Sequence, residues 1–347
     1  MSMLTKTKSI FIVGAKRTPF GSFGGSLKNM TATDLGTHAT KAALGSSSSS
    51  ESNQNVIDPK LIQSIFFGNV IQSSPDAAYL ARHIGLRSDC AISTPALTIN
   101  RLCGSGFETV IQGISSIASQ NVTMDHLVVC GGTENMSMAP LCVDGNASRW
   151  GIPLGKGMQM YDSLWSGLTD SYAGTPMAIT AENLANQYNI TREECDDYAL
   201  LSQSRWKAAK ESNYFDLEMA PIDIETKKKG IQRVDTDEHP RPDTSKESIS
   251  KLKPVFQKDG VVTAANASGI CDGAGAVILA SEDAVLQHNL TPLARVVSYD
   301  VVGCEPTTMG IGPGTLFDVS IILFIYMCIC IFYILFGCIL IDFENLC

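Results

Sequence analysis

The chain has 347 residues, with 26 Lys and Arg against 35 Asp and Glu, so its net charge is −9 with histidine neutral. That length calls for about two domains and a sizeable core. The acidic balance leaves no dominant basic face and excludes a nucleic-acid binder. With 44% apolar and 18% charged residues, a disordered chain is excluded as well. The 11 cysteines are scattered, odd in number and without a CxxC pair, which argues for a reducing compartment rather than a disulfide framework.

In chain order, residues 1–8 form a short basic start without an acidic residue. It is compatible with mitochondrial import or with a plain polar leader, and it lacks the apolar core of a secretory signal. Residues 9–14 (SIFIVG) read as a buried strand. Residues 31–44 read as a helix capped by Thr31 or Thr33. Residues 45–55 (GSSSSSESNQN) have nothing to bury and read as an insertion in a surface loop. A second transition into a strand follows at 61–70. Residues 79–85 read as a helix, 96–99 as a short strand, 107–118 as an amphipathic helix, and 126–130 as a buried strand closed by Gly131 and Gly132. This alternation predicts an α/β fold with a mainly parallel sheet.

From 133 to about 262 the chain turns polar, which predicts an inserted subdomain. Its clearest helix spans 191–212, where Thr191 and Glu194 have capping-box spacing. The α/β pattern returns at 266–280 and 294–302. The last segment is different: of the 23 residues from 319 to 341, only Ser320 and Gly337 are not apolar, and no Lys or Arg follows Arg295.

Cys103 carries the clearest chemistry. In residues 97–110 (LTINRLCGSGFETV) a strand runs into Cys-Gly-Ser-Gly and then into a helix. A thiol there sits near a helix N-terminus, whose amides favour the thiolate and can donate to an oxyanion. The spacing allows two readings, an acyl-cysteine nucleophile or a small buried cysteine in a tight turn.

The run around Cys103 resembles the N-terminal active-site signature of the thiolase family. Further resemblances follow in order: 13–25 (VGAKRTPFGSFGG), 129–137 (VCGGTENMS), 177–185 (MAITAENLA), 259–276 (DGVVTAANASGICDGAGA), and 292–295 with 309–313 (MGIGP). Residues 78–86 (AYLARHIGL) and 162–170 (DSLWSGLTD) point to the mitochondrial-type 3-ketoacyl-CoA thiolases. The resemblance covers residues 9 to 313 and implies a layered αβαβα fold. It implies an N-terminal core of residues 9–132 and 262–287, a CoA-binding loop subdomain at 133–261, and the start of a C-terminal domain at 288–313.

The resemblance further implies acyl transfer from a 3-ketoacyl-CoA to CoA in fatty-acid β-oxidation, with Cys103 as nucleophile and its amide in an oxyanion hole. It implies CoA contacts at Arg241, Thr244 and Ser268, and an acyl pocket lined by Met177, for which an ordinary core role is the other reading. CoA enters as substrate; no permanently bound cofactor or metal is implied. A mitochondrial matrix location and a dimer or tetramer are implied as well. Lys227–Lys229 can attract the anionic CoA or form a solvated turn. Acetyl-CoA acetyltransferase is the neighbouring activity, and a non-catalytic CoA-binding chain tethered to a membrane is a further reading.

The sequence departs from the family after Pro313. The family's NEAFA, GHP and CxGGG motifs, which supply an Asn, a His and a second Cys, do not occur in it. Residues 1–347 are therefore expected to turn over poorly on their own, since such groups act as a unit. For the apolar tail at 317–347 three readings stand: a bilayer span at 319–341, an interfacial or core helix, and translated noncoding sequence from a retained intron or truncated gene model. The acidic flanks Asp318 and Asp342 and the abrupt start inside a family motif favour the last.

Overall fold

The computed structural model describes residues 9–45, 55–119, 125–226 and 230–312, together with the backbone of 339–342. The apolar run at the start forms β1 (Ile10–Arg17). Helix α1 (Ala32–Ala43) is capped by Thr31: its hydroxyl accepts from the Asp34 amide at 3.1 Å, and the Asp34 carboxylate accepts from the Thr31 amide at 3.2 Å. Of the two expected caps, Thr31 is the one used, because Asp34 stands at the third helical position and closes the box. The serine-rich insertion lies outside the described residues, but its two ends meet. The Ile57 amide donates to Leu44 O at 2.9 Å, and the Asn55 side-chain amide donates to Val13 O and Thr291 O, each at 2.7 Å.

The chain continues through β2 (Ile62–Gly68), α2 (Leu80–Arg87), β3 (Ala96–Ile99), α3 (Ser105–Ser119) and β4 (Leu127–Asn135). It then leaves the sheet for a lobe containing α4 (Met177–Tyr188) and α5 (Arg192–Glu211), and returns as β5 (Cys271–Ser281), α6 (Glu282–Gln287) and β6 (Ala294–Tyr299). A short strand, β7 (Ile339–Asp342), closes the sheet order β7-β6-β1-β5-β4-β2-β3.

The sheet is mixed, not mainly parallel as expected. Only the β2–β3 and β2–β4 pairs are parallel; β5 runs antiparallel to both β4 and β1. The reason is topological. The lobe departs from the C-terminal end of β4 and delivers the chain back at that same end, where Asp272 pairs with Asn135. A strand re-entering there can only run the opposite way.

The core lies on both faces of this sheet. On one, Leu35 of α1 and Ile84 of α2 pack with Ile65, Phe67, Leu127 and Ile278 of the strands, all essentially sealed from solvent. On the other, Val110 and Ile114 of α3 cover Val128, Cys130 and Leu279. Strand β4 runs on through Gly131 and Gly132, the expected terminators. A Cβ on Gly131 would lie 2.5 Å from Gly275 O and from the Phe67 ring, so this glycine serves close packing inside the strand.

Among the described residues, no helix is long and apolar enough to cross a membrane. The expected span at 319–341 lies outside the described residues except for 339–341, which belong to β7 and are strand rather than helix.

Candidate active site

Three strand ends build one corner of the molecule. Residues 69–71 follow β2, residues 100–104 follow β3, and Glu134 and Asn135 finish β4, while β5 begins beside them at Cys271 and Asp272. Cys103 lies in the second of these loops, two residues before α3. Gly68 lets that helix come close: a Cβ there would stand 2.7 Å from both Ser105 C and Ser105 Cβ. The helix start is thereby pressed onto the end of β2, and Cys103 is carried with it.

The turn into Cys103 is strained. Leu102 has φ of 48°, in the left-handed region that costs a non-glycine residue about 1–2 kcal/mol. A latch holds it. Ser105 Oγ accepts from the Arg101 amide at 2.8 Å and donates to Leu102 O at 2.5 Å, while the Leu102 amide donates to Asn100 Oδ1 at 2.9 Å. Strain of this kind persists where surrounding contacts over-determine it, and it clusters at functional sites.

Cys103 is an exposed residue, yet burial of the thiol is the largest influence on it and pushes its pKa up. Its own backbone amide pulls the other way, and the Glu134 charge adds to the rise. This corrects the expectation of a thiol activated by helix-end amides alone. Nearby protein and a carboxylate outweigh the helix terminus, so the thiol needs a base or a bound substrate to ionise at neutral pH.

Glu134 received no role from the sequence. It is buried, and burial pushes its carboxyl up to about 7 against the partial relief of its donors. Those donors are Asn69 Nδ2 at 3.0 Å and the amides of Val70 and Ile71 at 2.9 and 3.2 Å. Its signal in the sequence is a carboxylate ending an otherwise apolar strand (LVVCGGTEN).

The other four expected residues lie in or beside the lobe. Arg241 is exposed; its Nη1 donates to the carbonyls of Glu238, His239 and Pro240 at 2.7, 3.0 and 3.0 Å, and its amide donates to Gln203 Oε1 of α5 at 2.7 Å. Thr244 Oγ1 donates to Arg241 O at 2.7 Å. Ser268 is exposed on the turn after Asn266. The Arg241 loop and the Ser268 turn meet where the His239 ring abuts Gly269, a Cβ on which would sit 1.9 Å from Nε2. The Arg241, Thr244 and Ser268 segments thus come together. Met177 is half-buried at the start of α4, apart from them. Among the described residues, no hydrogen bond or ion pair joins any of these four to Cys103. Lys227–Lys229 lie outside the described residues. His83 and His288, considered as bases and given no role, bond Asp76 at 3.3 Å and Asp125 at 2.7 Å.

Comparison with known proteins fits this corner. Residues 10–283 match the family described as "Thiolase, N-terminal domain". The mitochondrial 3-ketoacyl-CoA thiolase of Bos taurus is 55% identical over 306 residues, which cover 88% of this chain and 74% of that protein. The crystal structure of human mitochondrial 3-ketoacyl-CoA thiolase in complex with CoA superposes with a TM-score of 0.81 at 55% identity, over 88% of this chain and 73% of that one. The Bacillus anthracis acetyl-CoA acetyltransferase superposes with a TM-score of 0.82 at 36% identity, over 90% and 75%. The chain belongs to the thiolase family. By family it is an acyltransferase with the thiolase fold.

Proposed function

We propose that Cys103 is the acyl-accepting nucleophile of a 3-ketoacyl-CoA thiolase acting in fatty-acid β-oxidation. The observation that carries this is the placement of Cys103 on a strained, latched turn at the glycine-lined start of α3. In the first half-reaction Cys103 Sγ attacks the 3-keto carbon. The C2–C3 bond breaks, its electron pair passes to C2, and a proton there completes acetyl-CoA. The shortened acyl group stays on sulfur as a thioester. In the second half-reaction the thiolate of a second CoA attacks that carbonyl, the acyl–Sγ bond breaks, and acyl-CoA leaves.

The loop pair joined at His239 and Gly269 suits the CoA tail. Arg241 offers a cation for phosphate, Thr244 a hydroxyl and Ser268 an open turn. Met177 is assigned to the acyl pocket. A mitochondrial site of action is inferred from the printed names of the relatives. An acetyl-CoA acetyltransferase activity has weaker support, since the 36% identity to the Bacillus anthracis enzyme is well below the 55% to the mitochondrial thiolase.

The acid that protonates the carbanion and the base that ionises Cys103 have no counterpart among the family motifs present in residues 1–347. We infer that this polypeptide alone takes an acyl group faster than it completes turnover. Incubation with an acyl-CoA followed by peptide mass mapping should find the acyl group on Cys103 and none in Cys103→Ala. Multiple-turnover thiolysis of acetoacetyl-CoA should be lower than in an intact thiolase by several orders of magnitude. An acyl group elsewhere, or in the Cys103→Ala variant, overturns the assignment of the nucleophile. Turnover equal to an intact thiolase overturns the second inference.

A further inference from the structure

Glu134 and Cys103 stand on different strand ends, yet a continuous set of hydrogen bonds leads from one toward the other. The Glu134 carboxylate takes the amides of Val70 and Ile71 and the side-chain amide of Asn69. It thereby fixes the loop leaving β2. Asn69 also donates through Nδ2 to Thr133 O at 3.0 Å and through its backbone to Ile99 O at 3.1 Å, which ties that loop to β4 and to the end of β3. From this loop Val70 O accepts from Asn100 Nδ2 at 3.4 Å. The other atom of the same amide, Asn100 Oδ1, accepts from Leu102 N at 2.9 Å. Leu102 is the residue with positive φ, and Cys103 follows it directly.

We propose that Glu134 is a positioning residue for Cys103, holding the 69–71 loop against which Asn100 supports the strained Leu102 turn. The proposal rests on Cys103 being the acyl acceptor. The geometry explains why a buried carboxylate is kept at this strand end: three donors converge on it from a loop that has no other anchor of comparable reach. It also explains how a strained turn is supported from outside its own latch at Ser105. The groups with charge or titration around Glu134 are Asp272 and Cys271 on β5 and the Cys103 thiol. Asp272 is itself held by Ser137, with Oδ1 accepting from the amide at 3.0 Å and Oδ2 from the hydroxyl at 2.5 Å.

Two reactions of the same thiol separate positioning from simple ionisation. Alkylation by iodoacetamide needs the thiolate only, whereas acylation by acetyl-CoA also needs the sulfur aligned with the carbonyl and its oxyanion donors. Both would be read on the full chain by mass mapping of the Cys103 peptide from pH 6 to 10, in the wild type, Glu134→Gln and Asn100→Ala. Glu134→Gln removes the charge opposing the thiolate, so the alkylation midpoint falls to lower pH. Asn100→Ala leaves that charge in place, so the midpoint stays. In both variants, acylation at matched thiolate fraction drops about tenfold or more while alkylation changes less than about twofold, the pattern expected of an ångström-scale misplacement.

If the wild type is acylated at Cys103 and both variants keep its ratio of acylation to alkylation, the positioning role is overturned and the nucleophile assignment survives. If wild-type Cys103 is never acylated, that assignment falls and takes this proposal with it. Should Glu134→Gln fail to fold, Asn100→Ala decides alone, and an unchanged ratio there overturns the proposal.

Discussion

The sheet and the lobe are held together by different physics. The sheet side is sealed apolar packing: Leu27, Leu35, Phe67, Leu80, Ile84 and Leu127 have essentially no exposed surface. In the lobe, α5 buries only Asp196 along its 20 residues, and Trp150, Leu154 and Tyr172 stand at 80, 105 and 89% exposure. What fixes the lobe is a handful of carboxylates. Glu182 of α4 accepts from the amides of Val261 and Val262, each at 2.9 Å. Asp237 and Glu218 grip Arg17 of β1, both at 2.7 Å. Glu238 collects the amides of Ser22 and Ser26 and the Ser26 hydroxyl. Burial orders one region, and charge-assisted hydrogen bonds fasten the other to it.

Three measurements break or sharpen that contrast. The largest effect belongs to the sheet. Phe67→Ala empties a fully buried position, and loss of about 3–5 kcal/mol is expected from chemical denaturation, with sheet and lobe unfolding together. Next is the fastening. Arg17→Met leaves two largely buried carboxylates, Asp237 and Glu218, without their cation, a loss of about 3 kcal/mol. Limited proteolysis should then cut within 133–261 while the sheet fragment persists. Equal resistance in the variant would show that the lobe is held some other way.

The smallest is a pH effect at the seam, where Glu134 belongs to the sheet but is held by a loop. Its folded pKa, about 7, lies above the ordinary carboxylate value. Between the two values the folded state keeps a proton that the unfolded state has released, so stability falls as pH rises from about 4.5 to 7 and then levels off. Asp272 is also raised and adds to the slope at its lower end. The melting temperature of the wild type should decline over that window, and Glu134→Gln should flatten the decline.

The same contrast decides how much could be read in advance. Helix α1 was readable because Thr31 and Asp34 are three residues apart and its apolar positions repeat at helical spacing. Helix α5 was readable from Thr191 and Glu194 for the same reason, even with little to bury. Burial and capping are local in sequence. The antiparallel return of β5 was not local: it depends on where the lobe delivers the chain, across some 135 residues between Asn135 and Cys271. Cys103 could be named from CGSG and its neighbours, but its raised pKa could not, because the opposing carboxylate comes from β4. The Glu134, Val70 and Asn100 connections join three strand ends that are adjacent only in space.

The pairing of β1 with β5 has a consequence for biosynthesis. Arg17 lies opposite Gly275 and Ile10 opposite Ser281, so the first strand finds its neighbour only when most of the described chain has been made. At about 5–20 residues per second, an apolar strand waits roughly ten to fifty seconds beside the ribosome before its place in the sheet exists. During that interval the segment carrying Cys103 is complete in sequence, while the sheet beneath it still lacks its middle strand. The corner built around that thiol is thus assembled last, by the return of a strand whose partners have been waiting, and a chaperone that shields β1 in the meantime would govern how much of the protein reaches its folded form.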